Sequence, residues 1–299
     1  MLENLGTLTT EARNPRTLDL DTLPALRIVE VMNDEDAKVA SAVREALPRI
    51  AAAVELITAA RRAGGRLVYL GAGTSGRLGL LDAVEIPPTF GTEPGEVLGL
   101  IAGGERAFTR AVEGAEDDPE LAVRELAAAG IGERDVVVGL AASGRTPYVM
   151  GGLRHARLVG AATVAVSCNR DAAISALADV AIEVVTGPEV LTGSTRLKAG
   201  TATKLVCNML TTASMVRTGK VYSNLMVDVR PTNAKLVNRA QRIVAEAADV
   251  DLDTAARALT EANGNAKTAI VSLLLDTSAA GARDLLEATN GNVRAAVSH

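Results

Sequence analysis

The chain has 299 residues, of which 48% are hydrophobic and only 2% are aromatic, so aliphatic side chains must fill its core. The net charge of −5 argues against a general nucleic-acid or anionic-membrane partner, and the absence of tryptophan argues against stacking on nucleobases. The first residues lack a signal-peptide pattern, and no apolar run approaches the roughly 18 residues that span a bilayer. We therefore expect a soluble, cytoplasmic protein.

Two helices are predicted before the first strand. Polar and irregular sequence occupies about the first 20 residues. Apolar residues then recur close to helical spacing over residues 23–33 and 37–63. Pro48 lies inside the second of these segments, where its ring could kink or split the helix.

Five short apolar runs, separated by helical patterns, follow these helices. The runs cover residues 67–70, 97–102, 135–141, 162–167 and 180–185. Near-continuous apolar strands that alternate with helices predict a parallel sheet covered on both faces, and right-handed crossovers make such a sheet doubly wound. With the strand order 2-1-3-4-5, ligands bind at the carboxyl ends of the first and third strands.

The first strand runs into a glycine-rich turn, RLVYLGAGTSGR, over residues 66–77. Such a turn lets backbone N–H groups approach an anion at a helix N-terminus. The pattern G-x-G-x-x-G also occurs in dinucleotide-binding proteins, but no acidic residue ends the second strand to bind a ribose. The hydroxyl groups of Thr74 and Ser75 beside Gly73 favour a single phosphate instead.

The loop after the third strand has a similar composition. It contains Ser143, Gly144, Arg145 and Thr146, followed by Pro147, which suits the first turn of a helix. Many serine–glycine turns only cap a helix. The expected position of this loop beside the glycine-rich turn nevertheless favours one shared anion site.

A third cluster of hydroxyl and basic side chains follows the fifth strand. It contains Thr192, Ser194, Thr195, Arg196 and Lys198, at the start of a long helix that reaches about residue 218. This composition suits a phosphate or sugar hydroxyl groups, although a simple helix cap and a solvated lysine give the same pattern. The apolar residues expected on the buried face of this helix are Leu205, Val206, Met209, Leu210 and Val216.

The last part of the chain carries an internal repeat. Residues 259–265 (LTEANGN) recur as residues 286–292 (LEATNGN), with an offset of 27 residues. Asn-Gly-Asn can end one helix and cap the next, so the repeat predicts two helical hairpins in a small helical module. Chance similarity in an alanine-rich tail is the alternative.

The few histidines and cysteines argue against several catalytic classes. His299 is the last residue and His155 is expected at the surface, which disfavours a serine–histidine hydrolase. Cys168 and Cys207 are far apart, lack metal-ligand spacing and are expected to be buried, reduced thiols. We therefore expect no metal, and general acid–base chemistry falls to carboxylates.

Two glutamates are the candidates for this chemistry. Glu85 is expected to end the helix after the glycine-rich turn, where the negative end of the helix dipole disfavours ionisation and suits a general acid. Glu116 lies in an acidic stretch after the second strand. Glu113 and Asp117 are equally plausible there on chemistry alone, and a solvated side chain is the alternative at either position.

Six strings of the sequence match, in order, those of one known family. They are LGAGTSGRLGLLDAVEIPPTFG, IAGGE, AVEGAEDD, VVVGLAASGRTPYV, LTGSTRLKAGTATKLVCNML and GKVYSNLMVDVRPTNAKL. These strings closely resemble the N-acetylmuramic acid 6-phosphate etherases, a family with a sugar isomerase (SIS) domain. The match extends from about residue 33 to residue 239, and the helical tail is also similar to that of the family.

The resemblance implies an α/β fold of the SIS type, a doubly wound, mainly five-stranded parallel sheet flanked by helices, with a small C-terminal all-helical module. The expected domains are an N-terminal segment and helix over residues 1–36, an SIS sugar-phosphate-binding domain over residues 37–239, and a helical (UBA-like) module over residues 240–299. Because SIS domains typically pair, a homodimer is expected.

The resemblance also implies a reaction. The family cleaves the D-lactyl ether of N-acetylmuramic acid 6-phosphate with water, by β-elimination and hydration, without a metal or an organic cofactor, in cell-wall amino-sugar recycling. Glu85 matches the family's proton donor and Glu116 the base that removes the C2 proton. A non-catalytic sugar-phosphate sensor and a sugar-phosphate isomerase are the alternatives. The residues expected to bind the substrate and its phosphate are Gly73, Thr74, Ser75, Ser143, Gly144, Arg145, Thr146, Thr192, Ser194, Thr195 and Lys198.

Overall fold

Residues 8–229 and 234–298 of the chain are described by the computed structural model. They form two compact units, one of residues 8–84 and 95–211, the other of residues 85–94, 212–229 and 234–298. The first seven residues, residues 230–233 within the last matching string, and His299 lie outside the described residues.

A five-stranded parallel sheet forms the centre of the first unit, with the strand order 2-1-3-4-5 that the sequence predicts. Each strand coincides with a predicted apolar run to within two residues, and the predicted fold class is confirmed. The strands are β1 (Leu67–Gly71), β2 (Val97–Ile101), β3 (Val136–Leu140), β4 (Ala162–Ser167) and β5 (Val180–Glu183).

Helices precede and connect these strands. The two helices predicted before the sheet are found as α1 (Ala25–Asp36) and α2 (Val39–Arg62), and Pro48 lies inside α2 without ending it. The last residues of α3 and of α7 belong to the second unit. The remaining helices are α3 (Gly73–Phe90), α4 (Arg106–Thr109), α5 (Pro119–Ala128), α6 (Pro147–Leu158) and α7 (Lys198–Arg217).

Burial on both faces explains why the strands are so apolar. Every residue of β1 and β3 is buried, as expected for central parallel strands covered by helices. On one face, Leu70 packs with Leu126 of α5 and Leu153 of α6 in a hydrophobic cluster. A Cβ built on Gly152 would lie 2.0 Å from Leu70 Cδ2, so glycine lets α6 approach β1 without displacing that side chain.

The buried face of α7 departs from the predicted stripe at its end. Four of the five predicted residues are at least partly buried, among them Val206 and Leu210, which are fully buried. Val216 is 46% exposed, so its predicted burial is wrong. Every fourth residue of a helix lies on the same face, and the face of Leu210 therefore continues at Ser214, which is fully buried.

In the second unit, the hydrophobic core includes residues that precede its last five helices. Val227 and Val229 belong to its hydrophobic core, although both lie outside helices and strands. Periodicity gives no signal for such residues. The helices that follow are α8 (Ala234–Ala248), α9 (Leu252–Glu261), α10 (Ala266–Leu275), α11 (Ala279–Ala288) and α12 (Val293–Val297).

The two copies of the repeat adopt the same local structure, which confirms the predicted hairpins. In each copy the first asparagine has a φ of 53° and ends a helix. The second asparagine, Asn265 or Asn292, accepts a hydrogen bond from the backbone N–H of the third residue of the next helix, at 2.9 and 3.0 Å. The repeat therefore links α9 to α10 and α11 to α12 by the same cap.

Both cysteines are buried and unpaired, as predicted. Burial raises the pKa of the Cys168 thiol to about 12. His155 lies on α6 and is partly exposed. Across the described ranges 8–229 and 234–298, no helix is both long enough and apolar enough to cross a membrane.

Candidate active site

The loops after β1 and β3 lie side by side at the carboxyl edge of the sheet. The two strands pair in parallel, and their last residues, Gly71 and Leu140, stand opposite each other. The glycine-rich turn at residues 72–76 therefore emerges beside the loop at residues 141–146. The structure thus brings together the two segments that the sequence predicts to share an anion.

Backbone conformation explains one glycine of the first turn, and close packing on the sheet explains another. Gly73 begins α3 with a φ of +52°, a conformation that glycine adopts at no steric cost. A Cβ built on Gly76 would lie 2.6 Å from the carbonyl oxygen of Gly71 and 2.8 Å from Ile101 Cγ1. The start of α3 is therefore held against the ends of β1 and β2, and its first N–H groups point beyond the carboxyl edge.

Two hydroxyl groups in the loop after β3 are available to donate. Ser143 Oγ accepts a hydrogen bond from the N–H of Arg145 at 3.3 Å, which leaves its own proton to donate. Thr146 is the N-cap residue of α6, yet its side chain makes no capping hydrogen bond in the described part of the chain. Gly144 has a φ of +73°, and a Cβ there would lie 2.4 Å from Ala172 Cβ.

The start of α7 lies against the glycine-rich turn. A Cβ built on Gly200 would lie 3.6 Å from Thr74 Cγ2. Ser194 and Thr195, in the turn before α7, are half-buried, whereas Thr192 is exposed. The third hydroxyl-rich segment therefore borders the same region as the first.

A protein carboxylate occupies the N-terminus of α7. Glu189 is fully buried and accepts hydrogen bonds from the N–H groups of Lys198 and Ala199, both at 3.0 Å. Burial raises the pKa of Glu189, against the effect of these two donors and of the Lys198 charge. Because both N–H groups are already bonded, a phosphate could take them only by displacing Glu189.

The side chain of Lys198 is also engaged within the protein. Its Nζ lies 2.6 Å from Glu35 Oε2, and the two side chains are only 1% and 3% exposed. Arg16 and Lys38 bind the other oxygen of Glu35. Burial raises the pKa of Glu35, but the hydrogen bonds from Lys198 and Lys38 outweigh that effect and lower the pKa to about 2. The structure thus gives Lys198 an internal partner, which the sequence does not predict.

A cavity of about 200 Å³ opens at the carboxyl ends of β1 and β2. Glu113 and Glu116 line it from the loop after β2, while Gly73 and Arg77 line it from the start of α3. Arg77 Nε donates to the carbonyl oxygen of Phe108 at 3.0 Å, which fixes the guanidinium in the cavity wall. Two carboxylates and one cation therefore lie beside the glycine-rich turn.

The structure distinguishes Glu113 and Glu116 from Asp117, although the sequence leaves the three side chains equally plausible. Glu116 is exposed on a 3₁₀ turn, Ala115–Asp117, and borders the cavity together with Glu113. Asp118 caps α5, and Asp117 does not line the cavity. Among the residues that the structure describes, no group of three or more histidine, cysteine or acidic side chains could hold a metal ion.

Glu85 does not end α3, and that part of the prediction is wrong. The helix continues through Pro87 and Pro88 to Phe90. Ile86 and Phe90 are 4% and 5% exposed, so burial of these apolar side chains favours continuation despite the missing proline N–H groups. The Glu85 carboxylate is therefore more than one turn from the end of α3, beyond the reach of the helix dipole at that end.

Glu85 stands on an exposed stripe of α3. Leu81 and Val84 are 36% and 57% exposed, and Glu85 and Pro88 are exposed as well. These positions fall three or four residues apart and therefore share one face. Along the helix, Glu85 is about 18 Å from Gly73 at 1.5 Å per residue.

Comparison with known proteins gives matches over almost the whole chain. The models of the glucokinase regulatory protein N-terminal SIS domain and of the SIS domain match residues 49–157 and 115–213. The chain is 64% identical to the N-acetylmuramic acid 6-phosphate etherase of Mycolicibacterium smegmatis, over 98% of this chain and 99% of that protein. Proteins of the same name from Exiguobacterium sp. and Pectobacterium atrosepticum are 58% and 57% identical, over 98% of this chain and 100% and 97% of theirs.

Among solved structures, the chain is similar to a phosphoheptose isomerase from Francisella tularensis. The TM-score is 0.47 at 16% sequence identity, over 64% of this chain and 100% of that one.

Proposed function

The chain belongs to the N-acetylmuramic acid 6-phosphate etherase family, and we propose that it cleaves the D-lactyl ether of N-acetylmuramic acid 6-phosphate with water. The products are N-acetylglucosamine 6-phosphate and D-lactate. Identity of 64% to a relative of that name, over 98% of the chain, carries this proposal, and the chain is accordingly a lyase-type enzyme. We call the region bordered by the glycine-rich turn (residues 72–76), the loop after β3 (residues 141–146) and the segment at residues 192–198 the crevice. It suits such a substrate because hydroxyl groups, helix N-terminal amides and carboxylates meet there.

The elimination needs one base and one acid. In the open-chain sugar the C1 aldehyde acidifies the C2 proton, which Glu116 removes. The bond between C3 and the lactyl oxygen then breaks, and Glu85 gives a proton to the departing oxygen. Water adds across the resulting C2–C3 double bond, with its hydroxyl going to C3 and its proton to C2. The scheme uses no metal and no organic cofactor, and the division of roles follows the family resemblance.

We place the 6-phosphate between the glycine-rich turn and the loop after β3. Backbone N–H groups around Gly73 and Gly144 donate hydrogen bonds to the phosphate, and Arg145, in the loop after β3, supplies positive charge. Thr192, Ser194 and Thr195 border the sugar from the third segment. Lys198 supports this segment indirectly, because its ion pair with Glu35 fixes the start of α7. The hydroxyl donors in this proposal are those of Thr74, Ser75, Ser143 and Thr146.

The variants Ser75→Ala and Ser143→Ala should each weaken substrate binding by about 1–3 kcal/mol, because each removes one hydroxyl donor to a charged phosphoryl oxygen. Steady-state kinetics should show a raised KM with a smaller change in kcat. Ser298→Ala, at the end of α12, is the matched control and should leave both constants unchanged. An unchanged KM in both crevice variants would move the phosphate elsewhere.

A homodimer is part of the proposal because Glu85 is far from the phosphate position along its own helix. An open-chain hexose 6-phosphate is shorter than the roughly 18 Å between Gly73 and Glu85. We therefore place Glu85 in the crevice of a second copy of the chain. The exposed side chains of Leu81 and Val84 on the same face support this assignment, since they give the contact an apolar surface.

The direct test is release of D-lactate from N-acetylmuramic acid 6-phosphate by the purified protein, followed with a lactate dehydrogenase specific for the D-isomer. N-acetylmuramic acid without the phosphate is the control substrate and should release much less. No lactate release, together with conversion of an aldose 6-phosphate that carries a C2 hydroxyl group into the corresponding ketose 6-phosphate, would indicate an isomerase. Tight binding without any turnover would indicate a sensor, and either result would overturn the proposed reaction.

The cellular part of the proposal is recycling or catabolism of cell-wall amino sugars in the cytoplasm. Phosphorylated sugars do not cross membranes unaided, so an enzyme that acts on them must share their compartment. The net charge of −5 is consistent with a small-molecule substrate and no nucleic-acid partner.

A further inference from the structure

The side chain of Asn169, two residues after the end of β4, is fully engaged in hydrogen bonds although it takes no part in the proposed elimination. It is 2% exposed. Its Nδ2 donates to the carbonyl oxygens of Ala142 and Ser143, at 3.1 and 3.3 Å. These are two consecutive residues of the loop after β3. One carboxamide therefore fixes the backbone that carries the Ser143 hydroxyl.

The opposite side of the same carboxamide is bound by the N-terminal segment. Asn169 Oδ1 accepts hydrogen bonds from the N–H and the Oγ1 of Thr9, at 2.9 and 2.8 Å. Its Nδ2 also donates to Thr10 Oγ1 at 3.1 Å, so one of its two protons is shared between two of its three acceptors. An asparagine can serve both sides because its amide has a donor end and an acceptor end, whereas an aspartate has only acceptors.

The same N-terminal segment continues to the third part of the crevice. Asn14 Nδ2 donates to the carbonyl oxygen of Pro188 at 3.3 Å, and Thr17 Oγ1 donates to that of Val190 at 2.8 Å. The two acceptor residues, Pro188 and Val190, flank Glu189, whose carboxylate caps α7. Residues 9–17 thus tie the loop after β3 to the segment that begins α7.

We propose that Asn169 is a positioning residue for substrate binding, which sets the Ser143 loop against the 6-phosphate and takes its own orientation from Thr9. The inference rests on the proposed placement of the phosphate at this loop. It assigns a function to residues 9–17, which lie in the part of the chain that the sequence predicts to be irregular. Ser167 Oγ, which donates to the carbonyl oxygen of Asn169 at 3.0 Å, holds the backbone of this residue in place.

The test compares three variants in steady-state kinetics and in calorimetric binding of N-acetylglucosamine 6-phosphate. Asn169→Asp keeps the shape but turns the donor into an acceptor that faces two carbonyl oxygens. It should raise KM and the product dissociation constant by about tenfold or more, with kcat changed by less than about threefold. Thr9→Val should raise both by about threefold, and Thr9→Ser, which keeps the hydroxyl, should restore wild-type values.

Thr163→Val is the matched structural control. Thr163 lies at the amino end of the same strand, where its Oγ1 donates to Asp179 Oδ2 at 2.9 Å. This variant should lower the thermal midpoint without changing KM. If the Asn169→Asp variant has the KM and the product affinity of the wild type, Asn169 does not position the loop for substrate binding and the proposal is wrong. If that variant does not fold, a Thr9→Val protein with wild-type KM and affinity overturns the proposal.

Two readouts keep this test separate from that of the reaction. A wild-type protein that binds N-acetylglucosamine 6-phosphate but releases no D-lactate contradicts the proposed reaction, while the binding experiment still decides the role of Asn169. Normal lactate release together with unchanged binding in Asn169→Asp contradicts only the inference about Asn169.

Discussion

Replacing Glu116 by glutamine should lower kcat by at least about 10²-fold while KM changes by less than about threefold, because the amide fills the same space but cannot remove the C2 proton. Glu116 borders the cavity that also includes Gly73, so the carboxylate and the glycine-rich turn line one space. A second readout is the exchange of the C2 proton of the product with deuterium from solvent, which the variant should lose.

Two neighbouring acidic residues supply the controls for this experiment. Asp117→Asn alters the same turn but a side chain outside the cavity, and it should keep wild-type kcat. Glu113→Gln changes the other carboxylate of the cavity. A large loss of kcat in Glu113→Gln, with near-normal turnover in Glu116→Gln, would transfer the role of base to Glu113.

Glu85→Gln should also lower kcat by at least about 10²-fold, because lactate then leaves without a proton from the protein. If Glu85 serves the crevice of a second copy, two inactive variants should complement each other. In a mixed dimer of Glu85→Gln and Glu116→Gln chains, one crevice combines an intact Glu116 with an intact Glu85. Co-expression should therefore give about a quarter of wild-type activity, since half of randomly assorted dimers are mixed and each has one working site.

The control for complementation is each variant expressed alone, which should stay inactive. Light scattering on the purified protein should give the mass of two chains. A co-expressed mixture with no more activity than the single variants, together with a dimeric mass, would show that Glu85 does not act across the interface. A monomeric mass with full activity would remove the second copy from the mechanism.

The sequence predicts the sheet and the crevice well because both depend on local patterns. The five strands are near-continuous apolar runs, and parallel order follows from the helices between them. The loop with Ser143 is recognisable because it follows a strand and precedes Pro147. Once the strand order is known, the neighbourhood of this loop and the glycine-rich turn follows from topology alone.

The sequence does not predict the partners of buried polar groups, because those partners are distant along the chain. Lys198 and Glu35 are 163 residues apart, and Asn169 and Thr9 are 160 residues apart. Composition at the start of α7 suits a phosphate or sugar hydroxyl groups, or a solvated lysine, and none of these patterns reveals that Lys198 pairs with the Glu35 carboxylate. Neither a lone asparagine in a loop, such as Asn169, nor a lone glutamate in a helix, such as Glu35, carries a pattern that reveals such a contact.

The end of α3 illustrates a different limit. Two consecutive prolines are a strong local signal for a helix end, and the sequence accordingly predicts that this helix ends at Glu85. In the structure the buried side chains of Ile86 and Phe90 outweigh that signal. The longer helix moves Glu85 away from the helix end. The same helix separates Glu85 from Gly73 by about 18 Å, which is why the proposed mechanism needs a second copy of the chain.

A crystal structure of the protein with N-acetylglucosamine 6-phosphate would show where the phosphate and the sugar bind. We expect the phosphoryl group within hydrogen-bond distance of Ser75 Oγ and Ser143 Oγ, the sugar C2 next to the Glu116 carboxylate, and Glu85 of a second copy near C3. A phosphoryl group bound away from both loops, or a sugar out of reach of Glu116, would contradict the proposed site.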